Sequence, residues 1–161
     1  MSTLSPSHSP TPRSWLFLAG FLVLVLAAGT LIGVNNLPGP WYESLEKPPF
    51  NPPNWIFGPV WTTLYILIAI AGWRVFMARP RSLTMGFWVV QMLLNWAWSP
   101  VWFTLQMPWG AFAIIVPMLA AIIGFIATAR RFDPLAAWLF VPYAAWVSFA
   151  SLLNLWIAVV N

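Results

Sequence analysis

One predicted helix in the middle of the chain carries two tryptophans and two small polar residues on a single face. Their positions follow the helical spacing i, i+3, i+4 and i+7 and are Asn95, Trp98, Ser99 and Trp102. Indole rings stack on flat apolar molecules, while an amide and a hydroxyl supply hydrogen bonds that orient such a molecule. The chemistry that this face predicts is binding of a flat, hydrophobic ligand.

Two other apolar segments repeat the pattern. In an earlier segment, Trp61 and Tyr65 are one helical turn apart. The last segment again combines rings, a small residue and an amide on one face, at Trp146, Phe149, Ala150, Leu153 and Asn154. Three helices can thus present aromatic faces to a shared interior, which is how a pocket for a flat ligand is built.

Helix packing explains the same residues without a ligand. Asparagine and serine in membrane helices form hydrogen bonds between helices, and a small residue such as Ala150 allows close approach. Spacing alone does not separate this alternative from a ligand pocket.

Groups for conventional catalysis are scarce. The single histidine, His8, lies in a polar leader, and Glu43 and Glu46 sit beside Lys47, where solvated charges are expected. The chain has no cysteine. We therefore predict no metal site, no firm catalytic residue and no required cofactor.

A proline-rich stretch, KPPFNPPNWIFGPVW at positions 47–61, precedes one of the apolar segments. Proline restricts the backbone and removes hydrogen-bond donors, so this stretch is not the interior of a helix. A stiff loop over the mouth of a pocket loses little entropy when a ligand binds, which suggests a lid at 35–54. The alternative is a rigid connector that rests at the membrane interface on Phe50, Trp55 and Phe57.

Composition identifies the solvent of this fold as lipid. The chain is 61% hydrophobic and 6% charged, against about 25% charged residues in soluble domains. We predict an all-α integral membrane bundle of five transmembrane helices in one domain, 14–161, after a disordered polar leader, 1–13. The predicted spans are 15–34, 55–77, 83–105, 110–129 and 134–159.

The basic residues predict orientation. With a cytoplasmic N-terminus, the positive-inside rule is met by Arg13, Arg74, Arg79, Arg81, Arg130 and Arg131. Only Lys47 lies on the other side, with the loop. Because topology accounts for these arginines, the net charge of +4 does not indicate a nucleic-acid partner.

Three motifs in order resemble a known family. The segments WYESLEKPPFNPPNWIFGPVWTTLY, QMLLNWAWSPVWF and LFVPYAAWVSFASLLN are similar to the tryptophan-rich sensory protein family, TspO/MBR, which includes the mitochondrial translocator protein, formerly the peripheral benzodiazepine receptor. The resemblance spans nearly the whole chain after the leader.

The resemblance implies a five-helix homodimer that binds porphyrins such as protoporphyrin IX in a cavity closed by the first loop. Family pocket positions correspond to Trp61, Asn95, Trp98, Ser99, Trp146 and Ala150, and Tyr65, Trp102, Phe149 and Leu153 extend the predicted site. The predicted lid residues are Trp41, Tyr42, Pro52, Pro53 and Trp55. The resemblance also implies that Trp61 and Trp146 match a pair tied to light-dependent porphyrin breakdown in some bacterial members.

Two positions of the last helix differ from the animal members of the family in a way that concerns sterol binding. Animal members carry a tyrosine and an arginine as a proposed cholesterol motif in the last helix, where this chain has Leu155 and Val159. We therefore expect a bacterial-type, porphyrin-directed receptor or translocator. The alternatives are a photochemical porphyrin-degrading enzyme and a membrane scaffold without a small ligand.

Overall fold

The computed structural model describes residues 12–161, which form six α-helices and no β-strand. The helices are α1 (Pro12–Asn35), α2 (Pro40–Ser44), α3 (Phe57–Ala78), α4 (Leu83–Ser99), α5 (Pro108–Ala129) and α6 (Pro134–Val160). A 3₁₀ turn, Asn54–Ile56, leads into α3, and a π-helical turn, Pro100–Thr104, continues α4. The all-α prediction is confirmed.

Four helical segments within residues 12–161 are long and apolar enough to cross a membrane. They are Pro12–Asn35, Asn54–Ala78, Pro108–Ala129 and Pro134–Val160. The predicted third span, 83–105, consists of two segments: the α-helix α4 and the π turn that follows it. Helix α4 alone has 17 residues. A membrane crossing needs about 20 helical residues. The division occurs at Pro100, which has no backbone N–H for the regular helical bond.

Two predicted boundaries differ from the structure. Pro12 and Arg13, assigned to the disordered leader, are the first residues of α1, while positions 1–11 of that leader lie outside the described residues. The predicted loop 35–54 contains the short helix α2. Proline begins α2, α5 and α6, because its missing N–H is not needed in the first turn of a helix.

The core lies where α5 packs between α4 and α6, with α3 on the other side of α6. Phe125 and Phe140 stack there with their ring centroids 3.8 Å apart, and Phe140 meets Tyr143 edge-on at 5.6 Å. Helix α1 packs mainly on α3 and leaves most of its apolar surface outside the bundle. Such a surface is suited to contact with acyl chains.

The arginine-bearing end of the bundle is tied together by a buried carboxylate. Arg74, near the end of α3, makes two-pronged hydrogen bonds to Asp133, with Nε to Oδ2 at 2.9 Å and an amino nitrogen to Oδ1 at 3.0 Å. Asp133 Oδ1 also accepts from the Ala136 backbone N–H at 3.0 Å, which caps α6. This carboxylate therefore fixes α6 against α3.

Replacing Asp133 with alanine is expected to lower the free energy of unfolding by about 1–2 kcal/mol, because the α6 cap is lost and Arg74 loses its partner. Unfolding in detergent, followed by circular dichroism, measures the change. Glu43→Ala is the matched control, since Glu43 is exposed and makes no ion pair in the part of the chain described. Equal stability of the two variants would contradict the assigned role of Asp133.

Candidate ligand cavity

A cavity of about 530 Å³ opens where α1, α3, α4 and α6 meet under the first loop, the segment 36–56 that joins α1 to α3. Its volume lies within the range of about 300–1,000 Å³ typical of small-molecule sites. Nine of the ten predicted binding residues line it: Trp61, Tyr65, Asn95, Trp98, Ser99, Trp102, Trp146, Ala150 and Leu153. The three aromatic faces predicted from helical spacing thus converge on one space.

The wall of the cavity contains several paired rings. Trp98 and Trp102 stack, with ring centroids 5.5 Å apart and an angle of 11° between their planes. Trp61 lies 5.4 Å from the ring of Tyr65, and Trp146 meets Phe57 edge-on at 5.8 Å. Because each ring is held by a neighbour, the wall presents preformed aromatic surfaces to a ligand.

A chain of hydrogen bonds runs from the cavity into the core. The Tyr65 hydroxyl donates to Asn95 Oδ1 at 3.2 Å, and Asn95 Nδ2 donates to the Tyr143 hydroxyl oxygen at 2.9 Å. Tyr143 in turn donates to Gln91 Oε1 at 2.9 Å, and Gln91 Nε2 donates to the Trp88 carbonyl at 2.9 Å. Buried polar side chains need such partners in an apolar interior.

Tyr143 and Gln91 were not among the predicted site residues. Gln91 lies one turn before Asn95 on the same face of α4, so helical spacing contained the signal. Tyr143 is fully buried on α6, and its contact with Gln91 depends on how α4 and α6 pack. No spacing within one helix predicts that contact.

A second pair of hydrogen bonds fixes a tryptophan of the wall. The Trp98 indole N–H donates to Asn154 Oδ1 at 3.1 Å, and Asn154 Nδ2 donates to the Pro108 carbonyl at 2.9 Å. Asn154 thus joins α4, α5 and α6. The Trp146 indole N–H is buried and has no acceptor in the part of the chain described.

Phe149 is the predicted binding residue that does not line the cavity. Its ring lies 6.4 Å from Phe50 of the first loop and 5.8 Å from Trp146. The step of three residues from Trp146 turns Phe149 toward that loop, whereas Ala150, one residue later, reaches the cavity wall. Phe149 therefore supports the loop and Trp146 and does not face the cavity.

The first loop does cover the cavity, but only part of the predicted lid lines it. Tyr42 and Trp55 are lining residues, whereas Trp41, Pro52 and Pro53 are not. Trp41 instead meets Trp102 edge-on from outside, at 6.0 Å between ring centroids. The two prolines shape the turn that brings Trp55 to the cavity mouth.

Packing against the bundle holds this loop in place. Tyr42 is 6% exposed, and burial raises the pKa of its hydroxyl because it disfavours the phenolate. Two reciprocal hydrogen bonds join the loop to the end of the chain: the Glu46 N–H donates to Asn161 Oδ1 at 2.9 Å, and Asn161 Nδ2 donates to the Glu46 carbonyl at 3.1 Å. Sequence reasoning did not identify Asn161, since it acts through the backbone of Glu46.

Similarity to known proteins extends over most of the chain. The model of the TspO/MBR family matches residues 21–160. The chain is 36% identical to Protein CrtK of Rhodobacter capsulatus over 143 residues, covering 86% of this chain and 88% of that protein. It is 34% identical to the Translocator protein of Ovis aries over 149 residues, covering 87% of each.

A further relative is the Tryptophan-rich protein TspO of Archaeoglobus fulgidus, which is 38% identical over 158 residues, with 91% of this chain and 97% of that protein covered. The resemblance drawn from three motifs is therefore confirmed over most of the chain. This chain belongs to the TspO/MBR family of membrane proteins.

Proposed function

We propose that this protein is a membrane receptor or translocator that binds porphyrins of the protoporphyrin IX type, or similar flat hydrophobic molecules, in the cavity beneath the first loop. The observation that carries the proposal is the convergence of Trp61, Trp98 and Trp146, from three helices, on one space of about 530 Å³. Relatives with the printed names translocator protein and tryptophan-rich sensory protein support a role in transport or sensing.

The polar groups of the wall fit such a ligand. A flat ring system with polar substituents needs stacking surfaces and a few hydrogen bonds, which the Tyr65–Asn95 pair and Ser99 can supply.

We also propose that α4 and the π turn after it, with 17 and 5 residues, together form a fifth membrane span. We further propose that the N-terminus is cytoplasmic, because of where the basic residues lie. Arg74 and Arg79 at the end of α3 lie at the same end of the bundle as Asp133 and Phe132, as their contacts require. This gathers the basic residues on one side, as the positive-inside rule favours. A homodimer is part of the same proposal.

A cavity-filling substitution tests the binding site. Ala150→Phe is expected to lower the affinity for protoporphyrin IX at least tenfold, because the new ring occupies the space of the ligand. Quenching of tryptophan fluorescence during titration in detergent measures the affinity. The matched control is Ala145→Phe, on the exposed side of the same helix.

The proposal requires that Ala145→Phe keeps the wild-type affinity while Ala150→Phe loses it, with both variants folded by circular dichroism. Wild-type affinity in a folded Ala150→Phe variant would place porphyrin binding elsewhere and contradict the proposed site.

Photochemical breakdown of the bound porphyrin is a second candidate function. It is favoured by the position of Trp61, which lines the cavity with Trp146 and lies within 5.4 Å of the Tyr65 ring and 6.3 Å of the Tyr143 ring. The excited porphyrin would take one electron from the indole and pass it to dissolved O₂, the oxidant for the breakdown, and a neighbouring phenol would return one electron to the oxidised indole. Illumination of the complex should then give a new absorbing product, which Trp61→Phe with Trp146→Phe abolishes. Pure binding predicts only the bleaching seen without protein.

A further inference from the structure

We propose that Gln91 and Tyr143 are positioning residues that make the Tyr65–Asn95 corner of the cavity a hydrogen-bond acceptor. The corner would then select flat ligands that carry an O–H or N–H donor. This inference rests on the proposed ligand-binding function and adds to it the polarity of the ligand group that this corner recognises.

The direction of the hydrogen-bond chain is set at its buried end. The Trp88 backbone carbonyl can only accept, so the Gln91 amide must turn its nitrogen toward that carbonyl, at 2.9 Å. Gln91 is fully buried. Its Oε1 is consequently directed at the Tyr143 hydroxyl, where it can only accept.

The orientations of the Tyr143 hydroxyl and the Asn95 amide follow from that of Gln91. The Tyr143 hydroxyl has one proton, which it donates to Gln91 Oε1 at 2.9 Å; Met118 Sδ, at 3.6 Å, is a weak second acceptor for that proton. The Tyr143 oxygen is then left to accept from Asn95 Nδ2 at 2.9 Å. Asn95 is therefore held with its amide oxygen toward Tyr65.

The Tyr65–Asn95 corner therefore presents hydrogen-bond acceptors to the cavity. Tyr65 uses its only hydroxyl proton on Asn95 Oδ1, so its lone pairs, with the second lone pair of that amide oxygen, stay available. Both residues line the cavity. The nearby Trp98 N–H is already used, because it donates to Asn154 Oδ1 at 3.1 Å. The hydroxyl of Ser99 can donate or accept and does not discriminate.

Removing Gln91 should reverse this polarity. In Gln91→Met, the Tyr143 hydroxyl loses its acceptor and can donate to Asn95 only if that amide turns over. Asn95 Nδ2 would then donate to the Tyr65 oxygen, and the Tyr65 proton would point into the cavity. The corner would change from an acceptor to a donor, although neither Gln91 nor Tyr143 touches the ligand.

A pair of probes that differ only in a hydrogen-bond donor tests this. 1-Hydroxypyrene and 1-methoxypyrene are flat and apolar, and at neutral pH both are uncharged. Their affinities are measured by energy transfer from tryptophan in the full-length protein. We expect the ratio of affinities, hydroxyl over methoxyl, to fall about tenfold in Gln91→Met, the scale of one hydrogen bond. The ratio is compared between the wild type and each variant. Because the two probes partition into detergent in the same way in every sample, this comparison removes the effect of partitioning.

Tyr143→Phe gives a second measurement if Gln91→Met folds poorly. Without the Tyr143 hydroxyl the Asn95 amide has no imposed orientation, so the ratio should again fall several-fold below the wild-type value. Met92→Leu, a buried neighbour outside the hydrogen-bond chain, should leave the ratio unchanged. A purely structural role of Gln91 predicts equal losses for both probes and hence an unchanged ratio.

The outcomes separate the two proposals. If both pyrenes and protoporphyrin IX bind, but Gln91→Met and Tyr143→Phe keep the wild-type ratio, the polarity inference is overturned and the binding function stands. If neither the pyrenes nor protoporphyrin IX bind the wild-type protein, the proposed function fails and this inference fails with it.

Discussion

Replacing both Trp146 and Asn95 with alanine is expected to lower the affinity for protoporphyrin IX about a hundredfold. Trp146 supplies one stacking surface of the cavity, and stacking of a flat ring on an aromatic side chain contributes about 1–3 kcal/mol. Asn95 supplies a hydrogen-bond acceptor, which adds about 1 kcal/mol and holds Tyr65 in place. The two sum to about 2–4 kcal/mol, which supports the expected factor.

Titration of tryptophan fluorescence with protoporphyrin IX measures this loss. The control is Trp138→Ala, which removes an indole that is 70% exposed on the same helix as Trp146. That variant should bind as the wild type does. An unchanged affinity in the double variant would show that porphyrin quenches tryptophans from another place.

The substitution Gly29→Ala on α1 is expected to weaken porphyrin binding by tenfold or more. A Cβ atom at this glycine would overlap Cε2 of Tyr65, so the Tyr65 ring must move. Tyr65 is confined by Trp61 on one side and bonded to Asn95. Displacing its ring breaks that hydrogen bond and changes the shape of the cavity wall.

The matched control for this variant is Gly20→Ala, on the same helix, where an added Cβ meets no atom within 4 Å. We expect it to bind porphyrin normally and to be slightly more stable, because alanine favours the helix by about 1 kcal/mol over glycine. Equal affinities for Gly29→Ala and the wild type, measured by the same titration, would contradict the close packing of α1 on Tyr65.

Local sequence patterns were sufficient to predict much of this cavity wall. The spacing of Asn95, Trp98 and Trp102 follows from helix geometry, and a pocket wall needs little more than one face per helix. Runs without charge likewise indicated where the long helices lie. Hydropathy did not indicate the π turn at Pro100, because that turn follows from the loss of a backbone donor and not from a change in polarity.

Contacts between separate elements were harder to predict. Gln91 and Tyr143 lie on different helices, 52 residues apart, and only the packing of α4 and α6 brings them together. The contacts of the first loop were also hard to predict. Its prolines indicated stiffness, but whether Trp41 or Tyr42 would face the cavity depended on the short helix α2, which five residues form against the bundle.

The proposed function requires that tryptophans from separate helices surround a space that receives a planar ligand. A crystal structure of the protein with protoporphyrin IX, grown in lipid at neutral pH, tests it most directly. We expect the porphyrin ring in the cavity, in contact with Trp61, Trp98 and Trp146 beneath the first loop. A porphyrin bound on the outer face of α1, with the interior closed around those three rings, would contradict it.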